Sequence, residues 1–242
     1  MADFKLKIAL TRQSRDNRDL ANALNDVGFK PLDWPAISIT VRTPKQEHWE
    51  EAISKSSAVA FVSPNAARSF ATIWTREQKS LPPVVSQGPG TTTVLIEAGF
   101  QVKAESMPST SEGLANTIID TMDQQGELAI ICGDKSRSEL SDRLLAMGRM
   151  STRYVCYNND APSNLRRIEQ PLAAIVFCSP TAAQRCLDAN PWLSGIPAVA
   201  IGPLTASYLR HTAKLSNVTM SEKPTVSSLV DAVIACLDKD RL

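Results

Sequence analysis

An internal repeat constrains the fold of this chain more than any other feature. FVSPNAA at Phe61–Ala67 returns as FCSPTAA at Phe177–Ala183, identical at five of seven positions. A second matched pair follows each copy, GPGT at Gly88–Thr91 and GPLT at Gly202–Thr205. Upstream, Ile8-Ala9-Leu10 matches Leu128-Ala129-Ile130, and Leu20, Leu24 and Gly28 match Leu140, Leu144 and Gly148. The offset is 120 residues upstream and 116 and 114 downstream, so small gaps separate the copies. A leucine-leucine-glycine match alone is generic for strand, helix and turn. The ordered set points to a tandem duplication with its boundary near Asp123–Gly126.

Each copy alternates short apolar runs with helical periodicity. In the first copy the pattern predicts strands near Lys5–Leu10, Phe29–Trp34, Ala58–Val62, Pro83–Ser86 and Phe100–Ala104. In the second it predicts them near Glu127–Cys132, Met150–Tyr157, Ala173–Cys178, Pro197–Ile201 and Asn217–Thr219. Helices fill most gaps, such as Ser14–Val27 and Ser136–Met147, each ending at a glycine suited to a C-terminal cap. Alternating strands and helices imply an α/β fold with parallel sheets covered on both faces. Five strands per copy suggest two flavodoxin-like, doubly wound domains.

The longest connections without strand pattern are Asp33–Lys45 and Asn158–Pro171, each carrying two prolines. Read as interdomain links, they give a discontinuous α/β domain of residues 1–37 and 171–242. An inserted domain then spans 43–160, with linkers at 38–42 and 161–170. Two crossing links would form a two-strand hinge with a cleft between the domains. The alternative is two sequential domains cut near Gly126.

Composition narrows the function. A net charge of +1 over 242 residues gives no electrostatic case for nucleic acid. No apolar run approaches the length of a membrane span, and Met1–Thr11 carries no signal-peptide core, so a cytoplasmic protein is expected. Five scattered cysteines and two histidines, with no C-x-x-C, argue for free thiols and against a metal site. Neither G-x-G-x-x-G nor a P-loop is present, which weakens any nucleotide-using reading.

Ser63-Pro64 and Ser179-Pro180 carry the signature of an N-cap followed by proline, each directly after a strand. Gly88-Pro89 and Gly202-Pro203 repeat the arrangement, and Ser109 with Glu112 fits a capping box. Singly, such pairs merely start helices well. At the carboxyl ends of a parallel sheet, several of them present backbone N–H groups and partial positive charge to an anionic ligand.

The order of motifs resembles the uroporphyrinogen-III synthase family over nearly the whole chain. The matching segments are IALTR (Ile8–Arg12), FVSPNAA, GPGT, STSEGL (Ser109–Leu114), ICGDKSRSEL (Ile131–Leu140), CYNNDAP (Cys156–Pro162), FCSPTAA and AIGPLT. The resemblance implies two interleaved flavodoxin-like domains with the active site in the cleft, and no cofactor. It also implies a reaction in porphyrin and haem biosynthesis. Hydroxymethylbilane, a linear tetrapyrrole with eight carboxylates, loses its terminal hydroxyl to give an azafulvene. Ring D then attacks through a spirocyclic intermediate and is inverted in the closed type III product.

By that resemblance Tyr157 is the candidate acid, donating to the departing hydroxyl; otherwise it is an ordinary strand tyrosine. Thr91 and Thr205 match positions with hydroxyls near substrate, or are simple first-turn residues. Ser63, Asn65, Ala66, Gly88, Ser111, Ser179, Ala182 and Gly202 lie at the helix starts expected to hold carboxylates. Arg12 and Arg137 are candidate bidentate partners for carboxylates, or solvated surface residues. The chain departs from the family pattern at Gln13, at Cys132 where an arginine is common, at Asn158-Asn159 after the tyrosine, and at Val62 and Cys178. A monomer is expected, with possible transient contact with the preceding enzyme of the pathway. The competing function is a hinged two-domain receptor for an anionic metabolite.

Overall fold

The computed structural model describes residues 5–74, 81–122, 125–163, 165, 168 and 171–238. Residues 123–124 of the expected repeat boundary, and 164, 166–167 and 169–170 of the second expected link, lie outside the described residues. The strands described are β1 (Lys7–Leu10), β2 (Lys30–Asp33), β3 (Ser38–Val41), β4 (Ala58–Phe61), β5 (Val84–Ser86), β6 (Val102–Glu105), β7 (Leu128–Gly133), β8 (Ser151–Asp160), β9 (Ala174–Phe177), β10 (Ala198–Ala200) and β11 (Val218–Met220). The helices are α1 (Ser14–Asp26), α2 (Trp49–Ser54), α3 (Pro64–Ile73), α4 (Pro89–Glu97), α5 (Ser111–Thr121), α6 (Glu139–Ala146), α7 (Pro180–Ala189), α8 (Pro203–Ser207) and α9 (Val226–Asp238).

The chain divides into two compact units, Met1–Ser38 with Asp160–Leu242, and Ile39–Asn159. The first holds a sheet in the order β2-β1-β9-β10-β11, with every adjacent pair parallel. Renumbered along the unit, this is the flavodoxin order 2-1-3-4-5. The second holds a six-stranded sheet, β3-β8-β7-β4-β5-β6. Its run β8-β7-β4-β5-β6 is parallel and has the same order once β7 is counted as the first strand of its copy. The two copies have therefore exchanged their opening strand pairs. β1 and β2 of the first copy complete the sheet of β9–β11, while β7 and β8 of the second copy complete that of β4–β6.

The central strands read AVAF, LAIICG and AIVF and are buried along their length, as expected where helices cover both faces. Alternate side chains feed opposite layers. In the first unit Ala9, Ile175 and Phe177 pack with α7 residues Ala182, Ala183 and Cys186. Ile8, Leu10 and Val176 point the other way, onto Leu20 and Leu24 of α1 and Leu229 and Val233 of α9. The second unit repeats this, with Phe61, Phe70 and Phe100 on one face and Leu114, Ile118 and Leu144 on the other.

Helix ends follow the glycines. Gly28 sits at φ +92 just past α1, with the Phe29 amide bonded to Leu24 O at 2.9 Å and the Gly28 amide to Asn25 O at 3.0 Å. Gly148, its repeat partner, has φ +78 and the same pair of bonds after α6. Both are Schellman closures that need the left-handed region.

All ten expected strands are present within a few residues, and the structure differs in particular places. Ser38–Val41, expected inside a strandless link, forms the edge strand β3 beside β8. β8 runs on to Asp160, into the second link. Ser38-Ile39-Thr40-Val41 is short and half polar, so its strand character depends on the neighbour that pairs with it. α6 begins at Glu139, not Ser136, because Ser136 closes a turn: its Oγ accepts from the Gly133 amide at 3.1 Å. The cap of α5 is Thr110, not Ser109; Thr110 Oγ1 accepts from the Gly113 amide at 3.0 Å. Ser109 instead packs against Gly88, where an added Cβ would lie 2.1 Å from Ser109 Oγ.

Candidate active site

In a flavodoxin-type sheet, ligands bind beyond the carboxyl ends of the strands at the point where the strand order reverses. In the second unit that point lies between β7 and β4. β4 leads through Val62 to Ser63, whose Oγ caps α3 by accepting from the Ala66 amide at 3.1 Å. Proline at the first helical position lacks an N–H that would otherwise go unpaired there.

Tyr157 reaches the same point from β8. The β7–β8 register runs Ile131 with Tyr154 and Cys132 with Val155, then slips to Gly133 with Tyr157. Cys156 is the extra residue of this bulge. Without it, alternation would send Cys156 and Tyr157 to opposite faces; with it, Tyr154, Cys156 and Tyr157 all join the layer of Phe61 and Phe70. The Tyr157 ring lies against Gly133, where a Cβ would be 2.3 Å from its Cζ and 2.7 Å from its hydroxyl. The ring is 7% exposed, and its hydroxyl is 3.3 Å from Ser63 Oγ, with either oxygen able to donate.

Burial pushes the Tyr157 phenol above its ordinary pKa, the Ser63 hydrogen bond pulls it back, and Cys132, Asp134 and Cys156 push it further up. The phenol therefore stays protonated at neutral pH and can act as a hydrogen-bond or proton donor. Asp134 is fixed beside it, accepting from the Asn159 amide at 2.8 Å and paired with Lys135 at 3.3 Å.

The reversal point of the first unit lies between β1 and β9. Thr11 Oγ1 donates to Val176 O at 2.8 Å, joining the two strands there. Ser179 caps α7 by accepting from the Ala182 amide at 3.1 Å, as Ser63 does for α3. Arg12 follows β1, and its charge acts on the Cys178 thiol, which burial raises to about 11 while Arg12 pulls the other way. The turn carrying Arg12 is held by Asn17, 2% exposed, whose amide donates to Arg12 O at 3.0 Å, Leu10 O at 3.2 Å and Asp33 Oδ1 at 2.6 Å.

The structure thus brings Tyr157 and Ser63 together in one unit, and Arg12 beside the residue preceding Ser179 in the other. Other expected residues are placed less directly. Ala66 and Ala182 are buried, and their amides are taken by the caps. Thr91 is 1% exposed and its hydroxyl donates to Gln87 O at 3.2 Å; Thr205 is also buried. Asn65 Oδ1 accepts from Arg68 at 3.3 Å. Gly88 and Ser111 begin helices, as expected. Gly202 starts only a five-residue α-helix that continues as a π-turn, Tyr208–Thr212. The Arg137 side chain is 64% exposed, 3.9 Å from Glu139.

Sequence reasoning missed Gly133 and Asn17. The signal for Gly133 was its place at the end of the second copy's opening strand, just before DKS. That for Asn17 was a polar residue on the apolar stripe of α1, three before Leu20.

Among the described residues, no cluster of histidine, cysteine, aspartate and glutamate could hold a metal ion. All five cysteines are free, and no described helix is long and apolar enough to cross a membrane.

Two doubly wound sheets of flavodoxin order, each with a serine-capped helix starting at its reversal point, define the class: a tandem flavodoxin-like α/β protein. The uroporphyrinogen-III synthase HemD family matches residues 18–231, and the chain belongs to that family. Its function is accordingly uroporphyrinogen-III synthesis, in porphyrin biosynthesis, and the metabolite-receptor reading is not favoured. Solved structures agree in fold. A mutant uroporphyrinogen III synthase from the extremely thermophilic bacterium Thermus thermophilus is 16% identical, with 97% of this chain and 99% of that one covered and a TM-score of 0.65. Uroporphyrinogen-III synthetase from Helicobacter pylori is 17% identical, with 95% and 99% covered and a TM-score of 0.64. No curated protein matches the chain by sequence.

Proposed function

We propose that the chain cyclises hydroxymethylbilane as a hydro-lyase, with loss of water and inversion of ring D, and that Tyr157 assists departure of the hydroxyl. The observation that carries this reading is the buried, protonated phenol of Tyr157, 3.3 Å from Ser63 Oγ at the strand-order reversal. A group held in the acid form at neutral pH beside a helix start suits both halves of the task. The phenol donates toward the leaving oxygen. The helix starts at Ser63, Gly88, Ser179 and Gly202 attract the substrate carboxylates. With the Ala66 amide donating to Ser63 Oγ, the Ser63 hydroxyl can donate in turn to the phenol oxygen, which leaves the phenol O–H to donate outward. Arg12 adds a guanidinium for a carboxylate in the first unit.

The rest of catalysis is positioning: holding a flexible tetrapyrrole so that ring D closes in the inverted sense before spontaneous closure gives the type I isomer. We also propose that the two units fold as domains, 1–37 with 171–242 and 43–160, and that the protein acts as a monomer in the cytoplasm. The free thiols support the last point. The test is incubation with freshly made hydroxymethylbilane followed by isomer analysis of the oxidised porphyrins. Type III in excess over the spontaneous type I is expected. Type I alone would refute the reading.

A further inference from the structure

The repeat makes residues 120 apart equivalent around the opening strand pair of each unit, and the sheet registers agree. Leu10 pairs with Asp33 as Ile130 pairs with Arg153. Cys132 thus stands at the position of Arg12, and Arg153 at that of Asp33. In the first unit the strand pair ends in a guanidinium from β1 and a carboxylate from β2, the carboxylate held by Asn17. In the second unit the guanidinium comes from the neighbouring strand instead.

Arg153 is half buried, and its Nη2 donates to Ser136 O at 2.5 Å, which draws the side chain up to the turn that follows β7. Its charge lies against the Cys132 thiol, pulling that thiol down while burial pushes it up. Arg12 likewise pulls the Cys178 thiol down, through its charge alone. Among the described residues, neither guanidinium is paired with a carboxylate, whereas Arg137 is near Glu139 and Arg143 is near Glu112 and Glu139. Partial burial of a guanidinium is unfavourable unless an anion compensates it. Its planar fork has five donors, and those not used by Ser136 and Cys132 suit a carboxylate approaching from the strand ends.

We propose that Arg153 binds a substrate carboxylate in the second unit, taking the role there that Arg12 takes in the first. This rests on the reading that the chain acts on a polycarboxylate tetrapyrrole. The exchange of position between strands also accounts for the cysteine at 132: a second arginine beside Arg153 would place two like charges at one strand end.

The experiment is steady-state kinetics on hydroxymethylbilane for wild type, Arg153→Gln, Arg153→Lys and, as a control, Arg143→Gln, with thermal melting of each. Loss of a charge-assisted contact made equally to substrate and transition state should raise KM of Arg153→Gln by about tenfold to a hundredfold and leave kcat within about threefold. Arg153→Lys keeps the charge without the fork, so a KM rise of about three- to tenfold is expected. Arg143→Gln should match wild type. A folded Arg153→Gln enzyme with wild-type KM overturns the proposal. So does a loss confined to kcat, because Arg153 would then act only through the Ser136 turn. Should Arg153→Gln not fold, a wild-type KM in Arg153→Lys overturns it instead. A wild type that makes no type III isomer would refute the functional reading itself, which keeps the two failures apart.

Discussion

Gly133→Ala tests how Tyr157 is held. Gly133 is not at positive φ, so its backbone accepts alanine. The added Cβ would lie 2.3 Å from Tyr157 Cζ, 2.5 Å from Cε2 and 2.7 Å from the hydroxyl. Carbon–carbon contacts are normally about 3.5–4.0 Å, so the ring must retreat by roughly an ångström or more. Both partners sit in paired strands, and the ring is packed in the layer of Phe61 and Phe70, so little else can give way. Overpacking of this kind costs about 1–3 kcal/mol. For a chain of this size that lowers Tm by roughly 2–12 °C. The displaced phenol loses its 3.3 Å contact with Ser63, and misplacing a reacting group by about 1 Å costs on the order of a hundredfold in rate.

The assay is type III formation from fresh hydroxymethylbilane, with melting as the companion measurement. A double-mutant cycle isolates the cause. In a Tyr157→Ala background the ring is gone, so adding Gly133→Ala should change Tm by only about a few tenths of the single-variant effect. Wild-type rate and Tm in Gly133→Ala, or strictly additive losses in the cycle, would refute the reasoning.

Tyr157→Phe keeps the ring and removes the hydroxyl; type III formation should slow by about 10²–10⁴, with unprocessed substrate closing to type I in the isomer analysis. Ser63→Ala and Ser179→Ala each lose a helix cap and should each destabilise by about 1 kcal/mol in denaturant titrations, but only Ser63→Ala also releases Tyr157 and should lower the rate markedly more. Burial raises the Cys156 and Cys186 thiols to about 12 and Cys178 to about 11. Folded pKa values above the unfolded ones mean their contribution is complete below about pH 8.5 and is lost as pH rises toward those values. Stability should therefore fall from about pH 9 upward, and Cys186→Ala should flatten that decline when Tm is followed against pH.

The particular elements show where sequence information ends. The ten apolar strands and the glycines at 28 and 148 were legible because each is a local statement: a run buried on both faces, or a helix end needing the left-handed region. The serine-proline starts at 63 and 179 were legible for the same reason, since cap and helix lie within four residues of each other. Edge strand β3 was not, because Ser38–Val41 acquires its strand character from β8, more than a hundred residues away.

The site divides along the same line. Tyr157 could be singled out from its motif, but its orientation depends on the bulge at Cys156, a mismatch between two strands that neither strand encodes alone. Thr91 carried a matching motif, yet its hydroxyl turns inward to Gln87 because the packing of α4 buries it. Arg153, the carboxylate ligand proposed above, was invisible in the sequence because an arginine in a strand has no periodic signal. It acquires meaning only once β8 is set beside β7 in the register that makes it the counterpart of Asp33.

By itself, then, the sequence determined the repeat, the α/β alternation, the helix caps and the family, all of which are written in local spacing or in the order of motifs. The tertiary structure decided which copy's strands share a sheet, which face Tyr157 occupies and which guanidinium reaches the strand ends. These are pairings between distant segments. Their free energy lies in hydrogen bonds and buried area that exist only after the chain has closed on itself.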